Sequence, residues 1–181
     1  MKLKPLHARF LANKIITDLS RSSIVRITAP MPNLNKIATE VILNDIKEEH
    51  SIESRARELL EENQDRIENE EIDERQFFSM VKKQLARERG FLLSKDERYS
   101  KLAHDVLDAL FEEKYIDFNV PENVVKNHIL DSIYGYLKFN EDVYDNVMEK
   151  MRNYKKKLVA GSEEYELIFT RLYEEEIAKR G

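Results

Sequence analysis

Cysteine and tryptophan are absent from the 181 residues, and glycine and proline occur only four times each. Without cysteine there is no disulfide framework, no thiolate metal site and no cysteine nucleophile, a usage that fits a reducing compartment. Four dispersed glycines cannot build a phosphate-cradling loop. Neither G-x-G-x-x-G nor G-x-x-x-x-G-K-[ST] occurs, and G-x-S-x-G and H-E-x-x-H are missing too. No apolar run nears the roughly 18 residues of a membrane span, and Pro5, His7 and Arg9 interrupt the stretch that a secretory signal would need. These absences predict a cytoplasmic, non-enzymatic protein with no membrane segment, cofactor or metal. The residues that are there are 41% hydrophobic and 36% charged, with a net charge of −5. That composition supplies a core and argues against uniform coating by nucleic acid.

The chain resembles itself. Shifted by 91 positions, Leu11-Ala12 falls on Leu102-Ala103, Leu19 on Leu110, Pro30 on Pro121, Ile42 on Ile133, Phe78 on Phe169 and Arg89-Gly90 on Arg180-Gly181. Similar apolar residues fill in between, such as Ile15 with Val106, Ile52 with Val143 and Val81 with Leu172. A period this long reads as a duplicated unit, residues 1–91 and 92–181, and not as a solenoid array.

Each unit reads as four helices and a short extended piece, an all-α fold. Helix one, 5–22, has Ala8, Leu11, Ala12, Ile15, Ile16 and Leu19 at helical spacing. Its counterpart, 95–114, opens with Ser94-Lys-Asp-Glu97, a capping-box pattern. Alternating segments at 24–28 and 115–118 stop just before Pro30 and Pro121 and predict two strands. Helices two carry Ile37, Val41, Ile42 and Ile46, and Val125, Ile129, Ile133 and Leu137. Ser51 and Asn140 are the expected N-caps of helices three, and Asp73 and Ser162 those of helices four. Phe77, Phe78, Val81 and Leu85 are the expected buried face of the first helix four, with Gly90 as its C′ residue. The charged stretch 61–74 reads as a solvated helix, its acids interspersed with arginines.

Two sets of residues stand out as candidate contacts. Leu6 and Phe10 project opposite the core face of helix one, so they are expected either to meet the second unit or to form a patch for a protein partner. His7, Arg9, Lys14, Arg21 and Arg26 make the first helix locally basic, the alternative being an RNA- or DNA-associated protein that grips phosphates there. Yet Lys14, Arg21 and Arg26 align with Asp105, Glu112 and Asp117, a sign inversion expected if equivalent surfaces of the two units meet. Two lone strands need partners, so 24–28 and 115–118 are expected to pair antiparallel about Arg26 and Asp117. The groupings Glu49-His50, His104 with Asp108, and His128 with Asp131 offer two ligands each, fewer than a catalytic zinc requires.

The opening Met-Lys-Leu-Lys-Pro, the acidic Glu58-Leu-Leu-Glu-Glu and the run Lys82-Lys-Gln-Leu-Ala-Arg-Glu-Arg-Gly90 resemble DUF507, a bacterial family of short helical proteins of unknown function. Ile177-Ala-Lys-Arg-Gly181 echoes the last of these motifs. The resemblance implies a helical fold in one or two units of about ninety residues and brings no activity, ligand or catalytic residue. Together these readings point to a helical module acting through an unidentified protein partner.

Overall fold

A computed structural model describes residues 2–180; Met1 and Gly181, the latter matched to Gly90 above, lie outside the described residues. The elements follow in the order α1 (His7–Arg21), β1 (Arg26–Ile27), α2 (Met31–Glu62), α3 (Gln64–Asn69), α4 (Glu74–Glu88), α5 (Lys95–Glu112), β2 (Ile116–Asp117), α6 (Glu122–Arg152) and α7 (Glu163–Arg180). The fold is all-α with one small antiparallel ribbon. Helix, strand, long helix and returning helix thus recur in both halves, with the short α3 inserted in the first half alone among the described residues.

The number of helices differs from expectation. Helices two and three of each half are continuous, because no glycine or proline interrupts the chain between Pro32 and Gly90, and only Gly135 does so between Pro121 and Gly161. The two expected caps serve elsewhere. Ser51 Oγ accepts from Arg89 Nη1 at 2.9 Å, and Asn140 is fully buried, where its Oδ1 accepts from the Tyr173 hydroxyl. At 1.5 Å rise per residue, the 32 and 31 residues of α2 and α6 span about 48 and 46 Å. The lysines 155–157 fall in the loop after α6.

The first halves of the long helices pack with α1 and α5 into one core. Leu11, Ile15, Ile16 and Leu19 of α1 meet Leu34 and Ile42 of α2, and Leu102, Val106 and Leu110 of α5 meet Ile129 and Ile133 of α6, in a single cluster. Helix α1 also packs on α6, and α2 on α5, so neither half owns this core. Each fully buried Leu or Ile contributes about 1.5–3 kcal/mol, far more than any exposed ion pair. Beyond the core, the long helices extend as two arms. In the first, Ile52 and Ala56 of α2 are buried with Ile67 and Ala86; in the second, Val143, Val147 and Met151 of α6 pack against Phe169, Leu172 and Tyr173 of α7.

Strands β1 and β2 pair antiparallel with Arg26 opposite Asp117 and Ile27 opposite Ile116. Val25 and Ile116 are buried against the core while Arg26 and Asp117 form an ion pair on the outer side. The approach to β2 is a tight one. Lys114 takes φ +59°, and the bonds Tyr115 N–H to Leu110 and Lys114 N–H to Phe111 close α5 as a Schellman turn. Gly90, at φ +66°, closes α4 in the same way through Phe91 N–H to Ala86 and Gly90 N–H to Arg87. Asp73 caps α4 by accepting from Gln76 N–H at 2.8 Å, and Ser162 caps α7 by accepting from Tyr165 N–H at 3.2 Å. Ser94 precedes α5 in an extended conformation but makes no side-chain cap, so the expected capping box does not form.

Candidate functional site

The five residues expected to make α1 basic are dispersed. His7 is buried, its Nδ1 accepting from Lys4 N–H at 3.0 Å and its ring 5.2 Å from that of Tyr173. Arg9 stacks on Phe10 and pairs with Glu174 of α7. Lys14 holds Asp18 at 2.9 Å, and Ser132 of α6 donates to the same carboxylate at 2.7 Å. Burial would raise the Asp18 pKa, but these two hydrogen bonds prevail and lower it. Arg26 is engaged by Asp117. Arg21 alone of the five makes no ion pair, hydrogen bond or ring contact among the described residues. Leu6 and Phe10 are half-buried against the arm formed by α6 and α7, with Phe10 5.7 Å from Tyr173.

An open apolar surface lies on α4. Its sequence period puts Phe77, Phe78, Val81 and Leu85 on one face, yet all four are only half-buried, Ala86 is the one buried residue of the helix, and Met80 is 60% exposed. Along α4 runs a groove of about 540 Å³ lined by Leu59, Met80, Val81 and Leu85, with Lys83, Gln84, Arg87 and Glu88 at its edge. Neither cation has an ion-pair partner among the described residues, whereas the neighbouring Lys82 and Arg89 are tied to Glu53 and Glu48. The matching positions of α7 are more closed, although Ile168 is half-buried as Phe77 is. Phe169 is 1% exposed where Phe78 is half-exposed, Leu172 is buried where Val81 is not, and Arg171 and Glu176 replace Met80 and Leu85. Periodicity alone marked the face of α4 as core; only the comparison with α7 distinguishes an apolar stripe that is covered from one that is not.

A second hollow, of about 440 Å³, lies where residues 2–5 cross α2. Leu3 is 3% exposed and anchors the crossing, and Lys4 Nζ sits 4.6 Å from the centre of the Phe169 ring. From α2 come Ile46, Lys47, His50, Ser51, Ser54 and Arg57. The one acid in the lining is Glu53. Burial would raise its pKa, but hydrogen bonds from Lys2 and Lys82 overcome that and hold it at about 2. The basic excess near the N-terminus was legible in the sequence; its meeting with Lys47 and Arg57 was not, because it depends on the crossing of two distant segments.

His104 stands between two carboxylates, Nε2 at 3.3 Å from Asp108 and Nδ1 at 3.3 Å from Glu122. The three ligand atoms come within 4.8 Å of one another, but the acids face different ring nitrogens, while a metal ion bonds only one of them. The ring therefore serves to bridge α5 to α6. No described helix is long and apolar enough to cross a membrane.

A family model described as Protein of unknown function (DUF507) matches residues 1–181. No curated protein matches the sequence.

Proposed function

The chain belongs to the DUF507 family along its whole length, and from the apolar face that α4 leaves open where α7 closes its own, we propose that it is a non-enzymatic helical module that docks a protein partner. That asymmetry between the arms carries the reading. A contiguous apolar groove edged by polar groups is how monomeric proteins present partner sites, and methionine adapts to varied surfaces. The unpaired Lys83 and Arg87 favour a partner whose apolar anchors are flanked by acids, such as an acidic amphipathic helix. A phosphate-binding face on α1 has less to rest on, since four of its five residues are already engaged within the chain. We infer also that residues 1–91 and 92–181 are copies of one unit, supported by the recurring element order and the strand pairing about Arg26 and Asp117.

A photo-crosslinking residue at Met80, with Leu167 of α7 as an equally exposed control, tests the docking reading in cells of the source organism. A discrete adduct at position 80 that is absent at 167, and abolished by Val81→Glu, is the expected result. Equal labelling at both positions, or adducts indifferent to Val81→Glu, would overturn it. Salt-sensitive retention on heparin that depends on Arg21 would favour the nucleic-acid reading instead.

A further inference from the structure

The hollow between residues 2–5 and α2 adds two serine hydroxyls to an apolar floor and cations. Its floor is apolar, from the buried Leu3 and Ile46. Around it stand Lys4, Lys47 and Arg57, none of which has an ion-pair partner among the described residues, in a chain whose acids outnumber its bases 35 to 30. The single carboxylate in the lining, Glu53, already has two lysines. On the far side of the crossing, Lys2 and Lys4 also line a hollow with Glu141 and Asp145, so the positive charge left for a ligand is concentrated on α2.

The spacing on α2 is informative. Lys47, Ser51, Ser54 and Arg57 follow one another at four, three and three residues, which puts them on one face of the helix. Lys47 and Arg57 are then about 15 Å apart along the axis, with the two hydroxyls between them. Long flexible cations at both ends can close over a group held at the serines. A carboxylate offers two oxygens and one charge; a phosphate monoester offers three oxygens and close to two charges, which suits two cations and two hydroxyls better. A volume of about 440 Å³ is within the range of small-molecule sites.

We propose that this hollow binds a small phosphate monoester with an apolar body, Leu3 and Ile46 lying under the apolar part and Lys47, Ser51, Ser54 and Arg57 around the phosphate. The site is separate from the groove on α4 and does not depend on it.

Titrating the ¹⁵N-labelled full chain with hexyl phosphate, inorganic phosphate, hexanoate and hexanol separates the contributions. Hexyl phosphate is expected to shift the amides of residues 46–57 saturably and to bind about tenfold or more tighter than each of the other three. In Lys47→Glu/Arg57→Glu, both positions being exposed, the affinity is expected to fall at least about tenfold, with the dispersion of the spectrum unchanged. The variant Lys83→Glu/Arg87→Glu should bind as the native chain does. Shifts that do not saturate, equal binding of inorganic phosphate or hexanoate, or undiminished binding by the Lys47/Arg57 variant would each overturn the proposal.

Discussion

His7 is the residue whose surroundings contradict its chemistry most. Burial and, to a lesser degree, the charge of Lys4 lower its pKa from 6.5 to about 4. Because Nδ1 accepts from Lys4 N–H, the ring proton sits on Nε2, which is buried without a partner. The neutral ring is the folded form, and the unfolded chain takes up the proton first. Stability is therefore complete above about pH 6.5 and falls as the pH drops towards 4, by an amount on the order of 3 kcal/mol. Urea midpoints measured between pH 7 and 5 are expected to fall in the native chain and to stay nearly level in His7→Leu. The carboxylates with lowered pKa, Asp18, Glu53 and Glu176, act in a lower window, since their stabilisation fades only as the pH falls below the ordinary carboxylate range. A midpoint that is flat from pH 7 to 5 in the native chain would remove His7 from this role.

The helices differ in how their ends are held, and this can be measured element by element. Asp73 and Ser94 both stand before helices with a Gln or Glu three residues on, so the sequence makes them equals. In the fold Asp73 caps and Ser94 does not. Asp73→Ala should cost about 1 kcal/mol and Ser94→Ala only a few tenths, read from chemical denaturation; equal losses would contradict the geometry. Much of the element level was legible in advance. The starts of α4 and α7 and the ends at Gly90 and before Pro30 and Pro121 follow from local chemistry that no later packing overturns, and the register of the ribbon follows from the internal repeat. The breaks expected at Ser51 and Asn140 were not there, because a polar side chain inside a helix signals a cap only if nothing else claims it. Arg89 claims one and Tyr173 the other, and both are remote in sequence. The candidate surfaces were the least legible part for the same reason. Leu6 and Phe10 find cover on α7, while the face of α4, which reads as core, does not.

At the scale of the whole molecule the contact between the halves has two dissimilar ends. At one, Arg98 of α5 grips Asp45 through bonds of 3.0 and 2.6 Å, lies 2.9 Å from Glu49 and stacks on Phe91. At the other, 91 positions away in each case, His7 packs against Tyr136, whose hydroxyl joins those of Tyr173 and the amide of Asn140. Removing Arg98 strands two acids, so Arg98→Met should cost about 3 kcal/mol or more, whereas replacing all three in Asp45→Leu/Glu49→Met/Arg98→Met should recover most of it. Equal losses in the single and triple variants would mean that the cluster contributes through its shape alone. The dissimilarity also acts as a code for assembly. Two first halves would bring His7 to Asp45 and Glu49, and two second halves would bring an Arg98 guanidinium to Tyr136 and Asn140 with no counter-charge. Only unlike halves complete both ends, but the code cannot tell a molecule's own second half from a neighbour's. What keeps the choice internal is the short connection from Arg89 to Ser94 between α4 and α5, which holds the proper half at a local concentration on the order of millimolar. Refolding at protein concentrations approaching that value should accordingly yield reciprocally exchanged dimers, in which each of these contacts is kept and only the ownership of the chains has changed.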